Sequence, residues 1–163
     1  MRIKSILVIL CAISFCGCSR EESLQEKFDN LKTIDYSEFS DMSIVNRKGI
    51  YLVTYHDTMY RVRTNFFTSR ISSVELTSGK NKNVLWTKED SAQVERTLKS
   101  FDGIGILALS VDKNGNVDLS LPWYDRCTYY FLKLLPSFTL EDVEKPYYQR
   151  YEGNWYLDKK CSE

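Results

Sequence analysis

Between Gly105 and Leu121 the chain reads GILALSVDKNGNVDLSL, and this stretch constrains the fold more than any other. Leu107, Leu109 and Val111 mirror Val117, Leu119 and Leu121, with small or polar residues between them. Side chains alternate across a strand, so two period-two runs joined through Asn114-Gly115 predict an antiparallel hairpin with a tight turn. A second hairpin is predicted in GIYLVTYHDTMYRVRTNF, two alternating runs around His56-Asp57-Thr58. RISSVELTS, NVLW, CTYYFLKLL and NWYLDKKC supply further strands, with Ser78-Gly79-Lys80-Asn81 as a turn.

Helices are fewer. Thr87 followed by Asp90 forms a capping pattern in which each residue satisfies an N–H near the helix start. Val94, Leu98 and Phe101 then share one face, and Gly103 is the expected stop. Leu24, Phe28 and Leu31 fall at helical spacing in SREESLQEKFDNLKTI, which predicts a short amphipathic helix lying on the domain. Thr139 to Asp142 repeats the capping pattern, but Pro146 limits any helix there to a turn or two. The sum is a small α+β domain with a mainly antiparallel sheet and two or three short helices.

The N-terminus follows a different logic. Arg2 and Lys4 precede the apolar run Ile6–Phe15, which is too short to span a bilayer, since that takes roughly 20 residues. A basic start, a short apolar stretch and a small residue before a cut site describe a secretory signal. Gly17 is the small residue and Cys18 follows it. Here the chain resembles the bacterial lipoprotein signal, whose motif is commonly Leu, Ala or Ser, Gly or Ala, then an obligatory Cys. The motif falls on Phe15, Cys16, Gly17 and Cys18, and departs from the usual residues at Phe15 and Cys16. The resemblance implies cleavage before Cys18 and lipid on its thiol, including a palmitate-type acyl chain. It covers only the first eighteen residues. The expected organisation is a signal peptide over 1–17, a lipidated tether with a short helix over 18–34, and a globular domain over 35–163. In Gram-negative lipoproteins an Asp after the lipidated Cys often retains the protein in the inner membrane; Ser19 favours the outer one.

Such a cut removes Arg2 and Lys4 from a chain that carries 22 Lys+Arg and 22 Asp+Glu, leaving a slight excess of acid. Near-neutral charge argues against nucleic acid as a partner, since its binders usually carry a basic stripe. Five cysteines become two, because Cys11 and Cys16 leave with the signal and Cys18 takes lipid. Cys127 and Cys161 are then an even pair in an exported domain, which predicts a disulfide. One histidine, His56, with no close cysteine pair does not make up a tetrahedral metal set. No cofactor is expected.

Other constellations are weaker. Asp112, Asn114, Asn116 and Asp118 alternate like the start of a calcium loop, but Val117 occupies the position that needs glycine, and Trp123 the one that needs glutamate. Gly103 and Gly105 lack the third glycine and the following helix of a phosphate loop. His56 beside Asp57 lacks a nucleophile, and no G-x-S-x-G elbow occurs. Arg61, Arg63 and Arg70 lie near Tyr60, Phe66 and Phe67, a basic strand face suited to an anionic partner, glycan or lipid headgroup. Aromatic residues crowd the last third, where adjacent pairs such as Tyr129-Tyr130 point to opposite faces of a strand. The candidate binding surface comprises Arg61, Arg63, Tyr129, Tyr148, Tyr151 and Trp155.

These features together predict a cell-envelope lipoprotein held to the membrane by its lipid anchor. Its domain is expected to bind a protein or glycan without catalysis, as an inhibitor or immunity protein does. Two alternatives stand beside this: an envelope hydrolase using acids such as Asp57, Asp102 or Asp125, and a structural or assembly lipoprotein.

Overall fold

A computed structural model describes residues 23–65, 67–79, 86–122 and 126–161. The expected strand at NVLW and turn at Ser78–Asn81 fall largely outside these residues, as does the signal. Two α-helices are described, α1 (Leu24–Leu31) and α2 (Lys88–Ile104), with a 3-10 turn at Ser37–Phe39. The strands are β1 (Met42–Arg47), β2 (Ile50–Tyr55), β3 (Thr58–Thr64), β4 (Ile71–Gly79), β5 (Ala108–Val111), β6 (Val117–Ser120), β7 (Cys127–Lys133), β8 (Gln149–Glu152) and β9 (Trp155–Cys161). They form one antiparallel nine-stranded sheet in the order β4-β3-β2-β1-β5-β6-β7-β9-β8. The domain is therefore mostly sheet, with fewer helical residues than the α+β expectation implied.

The path explains that order. The chain starts in the middle of the sheet and moves outward through β1 to β4. Helix α2 carries it back across one face, and β5 pairs with β1. From there β5, β6 and β7 move outward on the other side, and the β8–β9 hairpin closes that flank. Strand β1 is central yet was not among the expected strands. Its six residues carry only Met42 and Ile44 on the buried face before the polar Asn46-Arg47-Lys48-Gly49.

Helix α2 starts at the expected cap, and α1 starts at a capping pair that was not among the expected ones. Ser23 and Glu26 cap α1 reciprocally, as do Thr87 and Asp90 for α2. Helix α2 buries Val94, Leu98 and Phe101 and continues through Gly103, which is exposed and helical. It stops at Gly105 instead, whose left-handed backbone (φ 68°, ψ 49°) disfavours any side chain. The stop therefore lies two residues beyond the expected one.

One face of the sheet is covered by both helices. Phe28 and Leu31 of α1 and the buried stripe of α2 meet Ile44, Val53, Val62, Leu109, Val117, Leu119 and Phe131 in a single core. Full burial of each such side chain contributes about 1.5–3 kcal/mol. Behind β7 and β9, the segment 134–148 builds a second, smaller core on the opposite face from Leu132, Leu134 and Tyr148 with Phe138, Leu140 and Val143.

The hairpin at 105–121 forms with the expected buried set, except that Leu107 lies before the strand and is exposed. Its connection is also longer than a two-residue turn. The Asp112 carboxylate accepts from the backbone N–H groups of Asn114 and Asn116 and from the Asn116 side-chain amide, at 2.8–2.9 Å. Asn116 is itself buried and accepts from the Leu135 N–H, tying the loop to the exit of β7. The residues that looked like a calcium loop are thus consumed in closing a hairpin, and Asp118 points elsewhere, to Lys145.

This loop has a pH signature. Burial alone would raise the Asp112 carboxyl, but hydrogen bonds from Asn116, Asn114 and Gly115 outweigh it and hold it below its ordinary value. Its stabilising contribution is therefore complete above the unfolded carboxylate pKa of about 3.9 and is lost as pH falls through the lower folded value. Asp112→Asn should lose stability at neutral pH, and the difference from the parent should shrink below about pH 4. Urea melts across that window check this; a pH-independent difference would count against it.

Candidate functional site: a groove on the half-open sheet face

Among the described residues, the face opposite the helices is covered over β7 and β9 alone. Across the rest, register places one continuous row of side chains: Glu75, Arg61, Leu52, Val45, Ala108, Ser120, Tyr130 and Asp158, from β4 to β9. The neighbouring row runs Met59, Thr54, Ser43, Ser110, Asp118 and Leu132. Where β1, β5 and β6 meet, these residues are small, and the sheet surface drops. Ser43, Ala108, Ser110 and Ser120 line a groove of about 230 Å³, walled by Tyr130 and by Tyr148 and Lys145 of the crossing segment.

The wall is held by charge. Lys145 Nζ lies 3.0 Å from the Asp118 carboxylate and 5.5 Å from the centre of the Tyr148 ring. The Tyr148 phenol is pushed well above its ordinary range, first by burial and then by the nearby Asp118 and Asp158 carboxylates. It therefore stays protonated and can donate as well as accept. The groove thus offers hydroxyls, two ring walls and one ion pair, a lining suited to a sugar ring or a polar peptide segment.

The structure divides the six candidate surface residues between the two faces of the sheet. Arg61, Arg63 and Tyr148 lie on the half-open side. Arg61 sits three strands from Ala108, a distance of about 14 Å, and pairs with Glu75 at 3.4 Å. Tyr129, Tyr151 and Trp155 point to the helix side. Trp155 is buried against Phe28, Tyr36 and Phe131, and Tyr129 is buried in the same core. Tyr151 is half-buried and donates its hydroxyl to Gln25 of α1 at 2.8 Å. The opposite orientation of Tyr129 and Tyr130 makes Tyr130, rather than Tyr129, part of the groove.

A larger cleft of about 450 Å³ lies at one end of the helix side, between residues 34–40 and the β5–β6 loop. It is a seam crossed by the Ser40–Val111 bridge, and its carboxylate, Asp35, is exposed and accepts locally from the Ser37 N–H. The acids considered for hydrolysis do not converge. Asp57 sits in the β2–β3 turn, while Asp102 lies in the last turn of α2, at the other end of the sheet. There its carboxylate accepts from Tyr51, whose phenol is raised to about 12 by burial and by Asp102 itself. Asp125 lies outside the described residues. His56 occupies the same turn as Asp57 and lies against Tyr55 at a tilt of 48°, with ring centres 3.9 Å apart. Among the described residues no three His, Cys, Asp or Glu side chains cluster to hold a metal ion, and no helix is long and apolar enough to cross a membrane.

Cys127 and Cys161 form a disulfide between directly paired residues of β7 and β9. Comparison with protein-family models, with curated proteins and with solved structures gives no match to this chain.

Proposed function

We propose that the chain is a bacterial cell-envelope lipoprotein, anchored through Cys18, whose domain binds a protein or glycan partner without catalysis. The observation that carries the binding part is the half-open sheet face. An antiparallel sheet can leave one face in water; among the described residues the cover on this face reaches Lys145 and Tyr148 and leaves a groove of small residues beside two tyrosines. Tyrosine walls around a pocket are characteristic of recognition surfaces. The anchoring part is supported by the short apolar leader, by Gly17-Cys18, and by the disulfide, which belongs to oxidising compartments. The outer membrane is the favoured destination in a Gram-negative cell, given Ser19. The separation of Asp57 from Asp102 gives the hydrolase alternative no support from that pair.

One experiment addresses both parts. The full chain, Cys18→Ala and Ser110→Trp are expressed in a bacterium and treated with a short cross-linker. The parent should fractionate with membranes at the mass of a chain starting at Cys18 plus acyl groups, and Cys18→Ala should keep its leader. The parent should also cross-link to one defined envelope component, and Ser110→Trp, which fills the groove, should lose it. An unacylated parent would overturn the anchor; an identical cross-link in Ser110→Trp would overturn the groove.

A further inference from the structure

The groove on the half-open face holds a polar group that the fold leaves without a partner. Tyr148 is 8% exposed, and its side chain forms part of the groove wall. Among the described residues nothing hydrogen-bonds its hydroxyl, although the Asp118 and Asp158 carboxylates and the Tyr130 phenol lie close enough to act on it by charge. A buried hydroxyl ordinarily has a partner, because leaving one unpaired costs free energy. The Tyr148 oxygen is not sealed in, since no fully enclosed side-chain oxygen or nitrogen among the described residues lacks a partner. Its opening is the groove it lines.

Around that hydroxyl the groove offers more hydroxyls and no net charge. Ser43 pairs in register with Ser110, and Ser110 with Asp118, while Ser120 lies diagonal to Ser110 beside Ala108. Opposed and diagonal side chains stand roughly 5–8 Å apart, so one compact body can reach all three serines. Lys145 neutralises Asp118 at 3.0 Å, and Lys160, 3.6 Å from Asp158, does the same beside Tyr130. Each tyrosine ring already has one of these ammonium groups near it, at 5.5 Å for Tyr148 and 5.1 Å for Tyr130. A cationic ligand would meet like charge at both walls, and an anionic one would meet the two carboxylates. The volume, about 230 Å³, is below the roughly 300 Å³ at which pockets begin to enclose a drug-sized ligand, and it fits one ring-sized unit.

Resting on the reading of this groove as a binding site, we infer that its ligand is a glycan, of which the groove takes one uncharged pyranose unit. The C–H groups of the sugar ring lie against the tyrosine walls, and its hydroxyls meet those of Ser43, Ser110, Ser120 and Tyr148. The Tyr148 hydroxyl then gains the partner that the fold does not supply, and the Asp118 oxygen turned from Lys145 accepts from a further sugar hydroxyl. An apolar side chain from a protein partner would instead bury the three serine hydroxyls and leave that of Tyr148 unpaired. A hydroxylated ring avoids that cost. A site lined in this way rejects a ligand without hydroxyls more sharply than shape alone would.

The test uses the full chain, purified in a detergent without a sugar headgroup, and titrated with sugars under saturation-transfer NMR. The neutral probes are cellotetraose, maltotetraose and the N-acetylglucosamine tetramer; the charged ones are the cationic glucosamine tetramer and anionic tetragalacturonate. At least one neutral tetramer should bind, and both charged ones should bind more weakly than it. Tyr148→Phe keeps the ring and removes the hydroxyl, so it should weaken neutral binding by about three- to tenfold. Its melting temperature should stay at or above that of the parent, because the free fold loses an unpaired hydroxyl. Ser110→Trp should abolish sugar binding. No neutral tetramer bound, preference for a charged one, or full affinity in Tyr148→Phe would overturn the inference. The two readings fail separately. A cross-link to an envelope protein that Ser110→Trp abolishes, with no sugar bound, keeps the groove and removes the glycan, whereas a cross-link unchanged in Ser110→Trp removes the groove itself.

Discussion

Phe28→Ala is expected to destabilise the domain by about 3–5 kcal/mol, the range for removing a large aromatic from a closed core. Phe28 is fully buried and is the ring on which the C-terminal half of the core converges. It stacks on Phe131 at 5.0 Å, takes the edge of Tyr151 at 4.7 Å, and meets Trp155 at 5.6 Å. The surrounding rings sit on three different strands of a continuous sheet, so the cavity has little freedom to collapse. The loss is a large share of the roughly 5–15 kcal/mol that holds a typical domain folded. It also loosens the one element that joins domain to tether. A urea melt reads the change directly; a loss under about 1 kcal/mol would mean that α1 is peripheral to the fold.

Opening the Cys127–Cys161 bridge should cost nearly as much, about 3–4 kcal/mol for a loop of this length in the chain-entropy picture. The bridge joins paired residues at the far end of β7 and β9, and the closed loop contains the whole second core and the β8–β9 hairpin. Cys127→Ala/Cys161→Ala is the cleaner variant, since serine at buried position 127 would add an unsatisfied hydroxyl. Thermal melts of the parent with and without reductant should differ by the same shift as parent and double variant. Coincident melts would show that the packing of Trp155 and Phe131 already holds β9 in place without the bridge.

Much of the local structure was legible because the chain states it twice, in period and in punctuation. The Thr87–Asp90 and Thr139–Asp142 capping pairs, the His56-Asp57 hairpin and the final strand follow from spacing alone. The arrangement of the strands was not legible. Nothing in residues 42–47 marks β1 as central, because its two buried residues are read only once β2 and β5 stand on either side. The return of the chain by α2 to that position is a tertiary choice. The groove was half legible. Alternation says that Tyr129 and Tyr130 part company, but not which faces the helices. Its floor of Ser43, Ala108, Ser110 and Ser120 sends no signal, because small residues form a depression only when register aligns them. Of the aromatic-rich third, the core took Tyr129 and Trp155, as burial of large apolar area favours.

The strand order also bears on how the sheet assembles. Pairings within β1–β4 and within β5–β7 join neighbours in the chain, whose ends meet at small entropic cost. Among the described strands, two pairings bring distant segments together: β7 with β9, and β1 with β5. The first is closed covalently at its rim by the disulfide. The second rests on four residue pairs, Met42 with Val111 through Val45 with Ala108, beneath the helix that connects the two halves. Two meanders of local pairings therefore await one long-range encounter, along β1, which offers only Met42 and Ile44 as buried side chains to guide it.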